Sequence, residues 1–465
     1  MKSFHCLIAV TASALAIFAA GPNYPFPQKV KYNYGILPTN ASSDKVQAVY
    51  DDFVARLYEE SGDKARIKWD QTDKTVSEGI GYGMIIMVYM DNATNNTQSK
   101  FDKLWKYYNS YLDNNGLMNW KINGFSSAAE FGSASDAELD VAVALMEAYK
   151  QWGDEKYLND AKAFIDKIMK SEVNSAGFIK PGDGWDSKKN PSYFSTAGMK
   201  LFKNASSADW GKVITNSYAL IGKVKDKTTG LVPDWCSQEG QSQGDFSYDA
   251  VRVPWRMAWA YCWNGDDSAK AVCSSIATWI STKTSGDPAR IGDKYKITGD
   301  SLSPYHNGTW VGCLACPGLV DAKHQAWLDA AYTRLADTLG KVKEVYYSQS
   351  LKVMCLLLMT GNMPDFWNMP TVGARGVSAN RIKTIPVPAI SVDNHRGIIN
   401  VSMTPGAYII SIYNCAGRSV TEPLFGRSQA PSISIPLNRD LKSGAYWLSL
   451  LTTSGSSMTR MIVAR

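Results

Sequence analysis

The amino-acid sequence predicts a mainly α chain, a closed ring of helical hairpins, followed by a small all-β sandwich-like module. Three observations predict it. Apolar residues recur at helical spacing through most of residues 43–360, short polar loops part these segments at roughly even intervals, and beyond residue 361 the pattern changes to short β-type runs.

The first helix is expected over 43–61, after a Pro- and Tyr-rich lead-in. Further helices are expected over 78–91, 98–112, 134–151, 155–171, 208–224, 250–262, 267–284, 320–338 and 344–360. Breakers such as NATNN, DNNG, QWGDE, KTTG and WNGDD close them. One-sided helices in that number bury their stripes against one another, and a ring of hairpins does so while gathering loops into a cleft at one end. A solenoid would also serve, but no repeated motif supports one. Residues 286–318 form a long loop able to block one end of such a cleft. NMPDFWNMPTVGARG has two prolines and no stripe, so it reads as a linker. IPVPAISV, GIINVSM, GAYIISIYN, SISIPL, GAYWLSLLTT and TRMIVAR then read as strands, with the two GAY segments in one sheet. Tyr408, Tyr413 and Trp447 fall inside these patterns and are expected in the module's core.

The expected division is a leader at 1–20, a catalytic domain at 21–362, a linker at 363–385 and the β-module at 386–465. The leader MKSFHCLIAVTASALAIFAAG has one Lys and an apolar run too short for a membrane span, which reads as a secretory signal. No other segment is long and apolar enough to span, so the mature chain is expected outside a bacterial cytoplasm: secreted, periplasmic or at the cell surface. Of eight Cys, Cys6 leaves with the leader. Cys262 and Cys273 bracket a short turn and are expected to pair. Cys313 and Cys316 have the spacing of half a zinc knuckle with no second half, so no metal or other cofactor is expected.

The net charge of +6 is spread among mixed signs, with no basic run to track a phosphate backbone, which excludes nucleic acid as the partner. The surplus is aromatic. Many of the 15 Trp and 24 Tyr stand beside Gly, Asn or Asp, where a flat ligand such as a sugar ring would stack.

Three carboxylates recur at helix starts near such loops. Glu78 lies in TVSEGIGYGMIIMVYM, with Ser77 as a candidate cap and Gly79, Gly81 and Gly83 leaving room for a bulky substrate. In SASDAELDVAVAL, Ser135 or Asp136 fits an N-cap. Asp140, one turn on, faces an apolar region and must be hydrogen-bonded if buried. Asp249 in SYDAVRVPWR caps or begins a helix, and Arg252, three residues on, favours its charged form, as a base requires. Acetal cleavage needs an acid for the leaving oxygen and a second carboxylate as base or nucleophile. Trp120, Trp185, Tyr193, Trp235 and Trp255 would supply stacking platforms. GxSxG, HExxH and GxGxxG are absent, and four His leave few candidates for a His-based triad.

SEGIGYGM, ASDAELDVAVAL, PGDGW, NPSYF, VPDWC and SYDAVRVPWR, in that order over residues 30–362, resemble glycoside hydrolase family 8. The resemblance implies an (α/α)6 barrel that cleaves β-1,4-linked polysaccharide or oligosaccharide with inversion. It implies Glu78 as general acid, Asp249 as general base, and Asp136 as the carboxylate holding the distorted sugar. Arg252 is implied to accompany the base, with Trp120, Trp185, Tyr193 and Tyr248 contacting sugar. The aspartate in SYDA points away from the chitosanase branch. After NPSYF the chain reads STAGMK where the family's cellulases carry aromatics, which implies one platform fewer. The function expected is a secreted endo-β-1,4-glucanase acting on cellulose-type or mixed-linkage β-glucan. The alternatives are a xylan, xylo-oligosaccharide or chitosan hydrolase on the same fold, or a non-catalytic carbohydrate-binding protein. The β-module is expected to engage secretion or cell-surface machinery.

Overall fold

The computed structural model describes residues 21–369 continuously and, between 389 and 463, seven strands with short flanking stretches. The leader and most of the linker lie outside the described residues. The chain divides at residue 370 into two compact units.

The larger unit is helix-rich. Its twelve described α-helices are α1 (Ser43–Leu57), α2 (Ser77–Tyr89), α3 (Gln98–Tyr108), α4 (Ser135–Trp152), α5 (Glu155–Glu172), α6 (Thr196–Phe202), α7 (Trp210–Val224), α8 (Arg252–Asn264), α9 (Asp267–Lys283), α10 (Gly308–Ala315), α11 (Gln325–Thr333) and α12 (Tyr346–Met359). The even-numbered helices pack in succession, α2 on α4, α4 on α6, α6 on α8, α8 on α10, α10 on α12 and α12 on α2. Each carries an odd-numbered neighbour: α3 on α2, α5 on α4, α7 on α6, α9 on α8, α11 on α10 and α1 on α12.

This order explains two kinds of sequence. The odd helices are one-sided; α5, for example, buries Tyr157, Ala161, Phe164, Ile165 and Ile168 at helical spacing. In contrast, α2, α8 and α12 are buried on nearly every side and α10 throughout, so they are apolar all round. At eight residues α10 is also too short to stand out as an apolar run: residues 286–318 are expected as one loop, yet Gly308–Ala315 is core. The short α6 is hidden for the same reason. Thr196, Ala197 and Met199 are buried and a Cβ on Gly198 would overlap Val143 of α4, so STAGMK is packed in the core.

Small sheets interrupt the helices where none is expected. Tyr58–Ser61 ends the first helix early because it pairs with Lys64–Ile67. Lys74–Val76, Lys121–Asn123 and Ser127–Glu130 form a three-stranded antiparallel sheet leading into α2. Cys262 and Cys273 are buried free thiols, as are Cys236, Cys313, Cys316 and Cys355, so the expected disulfide is not formed. The buried packing of α8 on α9 holds those two helices together without it.

Residues 23–39 run as a strap across distant parts of this unit. Asn23 N donates to Gln151 O at 2.7 Å, Val30 N to Gly361 O at 2.9 Å, Ile36 N to Leu319 O at 2.7 Å, and Thr39 N to Asp329 Oδ1 at 2.8 Å. Gly361 has φ +68°, and a Cβ there would overlap the backbone of Val30, so only glycine lets the strap lie this close.

The smaller unit has a three-stranded sheet (Ala389–Asp393, Ile398–Ser402, Ser432–Pro436) and a four-stranded one (Leu424–Ser428, Gly406–Asn414, Gly444–Thr452, Gly455–Val463). The two GAY strands are antiparallel neighbours, with Tyr413 opposite Trp447. Ile390, Ile399 and Val401 from one sheet meet Ile410, Ile412, Leu448 and Leu450 from the other in one apolar cluster. Leu424–Ser428 is an unforeseen strand. Trp447 is 42% exposed, not core, because alternate residues of its strand, Tyr446 and Leu448, take the inner face.

Candidate active site

The three-stranded sheet and α2 together place Glu78. Ser77 N donates to Trp120 O at 2.9 Å, extending the ladder by one bond, and Glu78 follows as the second residue of the helix. Ser77 caps nothing; Val76 is the N-cap residue. The glycines beside Glu78 serve packing, not substrate. A Cβ on Gly79 would press on the Tyr346 ring, one on Gly81 on Ala137 and Asp140 of α4, and one on Gly83 on Ile67 and Leu104. They allow α2 to lie close against its neighbours.

Asp136 is the second residue of α4. Its Oδ1 accepts from Ala137 N at 3.0 Å, while Ala134 holds the N-cap position, so neither Ser135 nor Asp136 is the cap. Ser135 instead donates to Lys180 O. Asp249 lies in the turn before α8, whose N-cap residue is Val251, so it precedes the helix without capping it. Its position is fixed from outside: Asp234 Oδ1 accepts from Ser247 N at 3.1 Å and Ala250 N at 2.8 Å, clamping the turn on both sides of Asp249.

One guanidinium joins all three acids. Arg252 Nη1 donates to Glu78 Oε2 and, at 2.6 Å, to Asp136 Oδ2; Nη2 donates to Asp249 Oδ1 and Ser192 Oγ, both at 2.9 Å. Tyr346 OH donates to Glu78 Oε1 at 2.7 Å, and Tyr82 OH to Glu78 Oε2 at 3.3 Å. Behind this cluster Arg256 makes a two-pronged bond to Asp140 at 2.8 and 2.9 Å, with both side chains 1% exposed. That supplies the partner which a buried Asp140 requires.

The three acids differ in access to water. The side chain of Asp249 is 33% exposed, Glu78 17% and Asp136 4%. Two effects compete at Glu78. The helix N-terminus and Arg252 favour the carboxylate, whereas burial and the neighbouring Asp136 and Asp249 favour the acid. Burial dominates and pushes Glu78 up to about 7. Burial also raises Asp136, partly offset by Arg252. Tyr346 acts in the opposite sense on Glu78, because its hydroxyl stabilises the ionised form. Tyr346→Phe is therefore expected to raise the pH at which Glu78 loses its proton, moving the alkaline limb of the kcat/KM profile upward from near 7. An unmoved or lowered limb in a pH–rate series would contradict that role.

Two cavities flank Arg252. The first, about 660 Å³, is lined by Glu78, Asp249, Trp69, Tyr248, Tyr347 and Val345, among others. Tyr248 is 38% exposed there, its hydroxyl donating to Asp293 Oδ2 at 2.6 Å. The second, about 410 Å³, is walled by Trp120, Trp185, Tyr193 and Trp235, with Phe131 on its edge. Tyr193 belongs to both neighbourhoods, since its ring also lies 5.4 Å from the Arg252 guanidinium. Trp185 and Trp235 lean together at 5.0 Å between centroids, with Lys188 over both. All eight expected site residues thus line these cavities or the cluster between them. Trp255 does not: it is fully buried, packed on Trp259 and Arg256.

Tyr346, Tyr82, Ser192, Trp69 and Tyr347 are absent from the expected set. Tyr346 is 268 residues from Glu78, and no local pattern joins them. The adjacent tyrosines at a helix start were the one available signal. No group of three or more His, Cys, Asp or Glu able to hold a metal ion occurs among the described residues.

Both units resemble known protein families. Residues 25–361 match the family model for glycosyl hydrolases family 8, and residues 395–464 match that for a secretion system C-terminal sorting domain. The chain is 32% identical over 407 residues to Endoglucanase 2 of Ruminiclostridium josui, covering 81% of this chain and 85% of that protein. It is also 32% identical over 393 residues to a Beta-glucanase of Niallia circulans, covering 77% and 95%. The solved apo structure of a beta-1,3-1,4-glucanase from Paenibacillus sp. X4 superposes with a TM-score of 0.69 at 31% identity, covering 73% of this chain and 99% of that one.

Proposed function

The chain belongs to glycosyl hydrolase family 8, and from that premise we propose that it is an inverting endo-β-1,4-glucanase acting on cellulose-type or mixed-linkage β-glucan. It is a secreted or cell-surface bacterial protein, since it carries a C-terminal sorting domain. None of the helices among the described residues is long and apolar enough to cross a membrane. The single observation carrying the reading is the Arg252 hub, which holds one largely buried acid, Glu78, and one water-exposed acid, Asp249, beside the same cavity.

In this reading Glu78 protonates the leaving glycosidic oxygen, which its elevated pKa permits near neutrality. Asp249, the most exposed of the three, takes the proton of the attacking water. Asp136 is too enclosed to meet bulk water and instead holds the sugar ring and the Arg252 fork. Glu78 and Asp249 are separated by no more than one guanidinium and two hydrogen bonds, a span of at most roughly 8 Å, which accommodates the spacing of an inverting pair. The succession α2, α4, α6, α8, α10, α12 and back to α2 supports an (α/α)6 barrel as the scaffold. The shared apolar cluster of the two C-terminal sheets supports a sandwich within the expected module at 386–465. Of the linker expected at 363–385, Met363 and Phe366 are instead buried in the larger unit, so the catalytic domain expected at 21–362 extends to about residue 370. We assign that module to engagement of secretion machinery. Trp120, Trp185, Tyr193 and Tyr248 are the sugar contacts.

The test is a product profile of purified protein on carboxymethyl-cellulose, barley mixed-linkage glucan, lichenan, xylan and chitosan. Short mixed oligosaccharides from the glucans, with α-anomers appearing first by proton NMR, are the expected result. Products from xylan or chitosan alone would overturn the substrate, initial β-anomers the stereochemistry, and no turnover at all the enzymatic reading.

A further inference from the structure

Phe131 stands apart from every other large apolar side chain described. It is 83% exposed, the highest value among them, yet it lies on the lip of the cavity walled by Trp120, Trp185, Tyr193 and Trp235. A lone exposed apolar residue is ordinary on a protein surface. This one differs in two respects: it borders a walled aromatic cavity, and its backbone is held on both sides.

On one side Ser127–Glu130 is a strand paired with Lys121–Asn123, and Glu130 pairs with Lys121 at 2.9 Å. On the other, Gly132 donates to Asn119 Oδ1 at 3.1 Å, its carbonyl accepts from Trp120 N at 2.7 Å, and Ser133 N donates to Asp183 Oδ1 at 3.1 Å. Gly132 has φ +86°, so the chain turns sharply just after Phe131. The same residues that fix Phe131 also fix the Trp120 backbone. With the backbone fixed, only the two side-chain torsions of the ring remain to be ordered when a ligand covers it.

We propose that Phe131 is a specificity-determining stacking platform for one glucose unit beyond those that Trp120, Trp185 and Tyr193 contact, so that longer glucan chains are bound preferentially. The inference rests on the β-glucanase reading. Phenylalanine offers no hydroxyl, so this outer contact uses only the apolar face of the sugar and reads chain length, not hydroxyl pattern. A contact made equally in ground and transition states enters KM and leaves kcat nearly constant.

The experiment compares wild type, Phe131→Ala and Phe131→Trp on a ladder from cellotriose to celloheptaose. For Phe131→Ala, kcat/KM is expected to fall by about three- to tenfold from one chain length upward, through KM. Below that length the change is expected to stay within about twofold, with Phe131→Trp restoring the preference. A uniform change along the ladder, or none, overturns the proposal. Loss through kcat at every length would show that Phe131 merely supports Trp120, and overturns it also. Wild-type inactivity on the ladder and on barley mixed-linkage glucan alike would defeat the glucanase reading itself, a result distinct from a flat ladder in an active enzyme. Activity on the mixed-linkage glucan alone would overturn the proposed cello-chain contact.

Discussion

Glu78→Gln is expected to lower kcat on barley mixed-linkage glucan by about 10²–10⁴-fold, with KM changed far less. Glutamine keeps the shape of the side chain, and its carbonyl can still accept from Tyr346 or from Arg252. What it cannot do is deliver a proton to the departing oxygen. The loss corresponds to about 3–5 kcal/mol of transition-state stabilisation. Initial rates and polymer affinity of the folded variant, judged by circular dichroism, are the measurements. A variant retaining a tenth or more of the wild-type kcat would remove Glu78 from the role of acid.

The second large effect is on stability. Asp140→Leu is expected to destabilise the larger unit by about 3–5 kcal/mol, because Arg256 would remain charged and buried without its partner. Thermal unfolding should then begin roughly ten degrees lower. The pair joins α4 to α8, helices that carry Asp136 and Arg252, so the variant should also lose activity through displaced groups. Adding Arg256→Met to Asp140→Leu removes the stranded charge and should recover much of the midpoint. If the double variant melts lower than Asp140→Leu alone, the pair is not the source of the loss.

The three acids were legible because each sits in a short conspicuous stretch: polar residues entering an apolar helix at Glu78, a polar turn before α8 at Asp249. Their roles came from the resemblance, and their mutual arrangement could not be read from sequence at all. Arg252 looked like a partner for Asp249 alone, since a spacing of three residues is visible in sequence whereas the 116 and 174 residues to Asp136 and Glu78 are not. The misread glycines make the same point. Glycine signals that something comes close, and at 79, 81 and 83 it is Tyr346, α4 and Ile67. Periodicity and apolar runs found the longer helices and missed α6 and α10, because seven and eight residues buried on every side are too few to show a pattern. The caps failed because α2 and α4 start at the expected cap or one residue before it and α8 three residues after it, and at Asp136 and Asp249 the carboxylates turn to Arg252.

The strap at residues 23–39 bears on the order in which the molecule can be completed. It is made before every helix of the larger unit, yet its anchors at Leu319, Asp329 and Gly361 are among the last parts of that unit to be synthesised. A ribosome must therefore produce some three hundred further residues before the opening segment finds its place. Until then the growing chain lacks its final fastening, so the larger unit closes only when its last helix is complete.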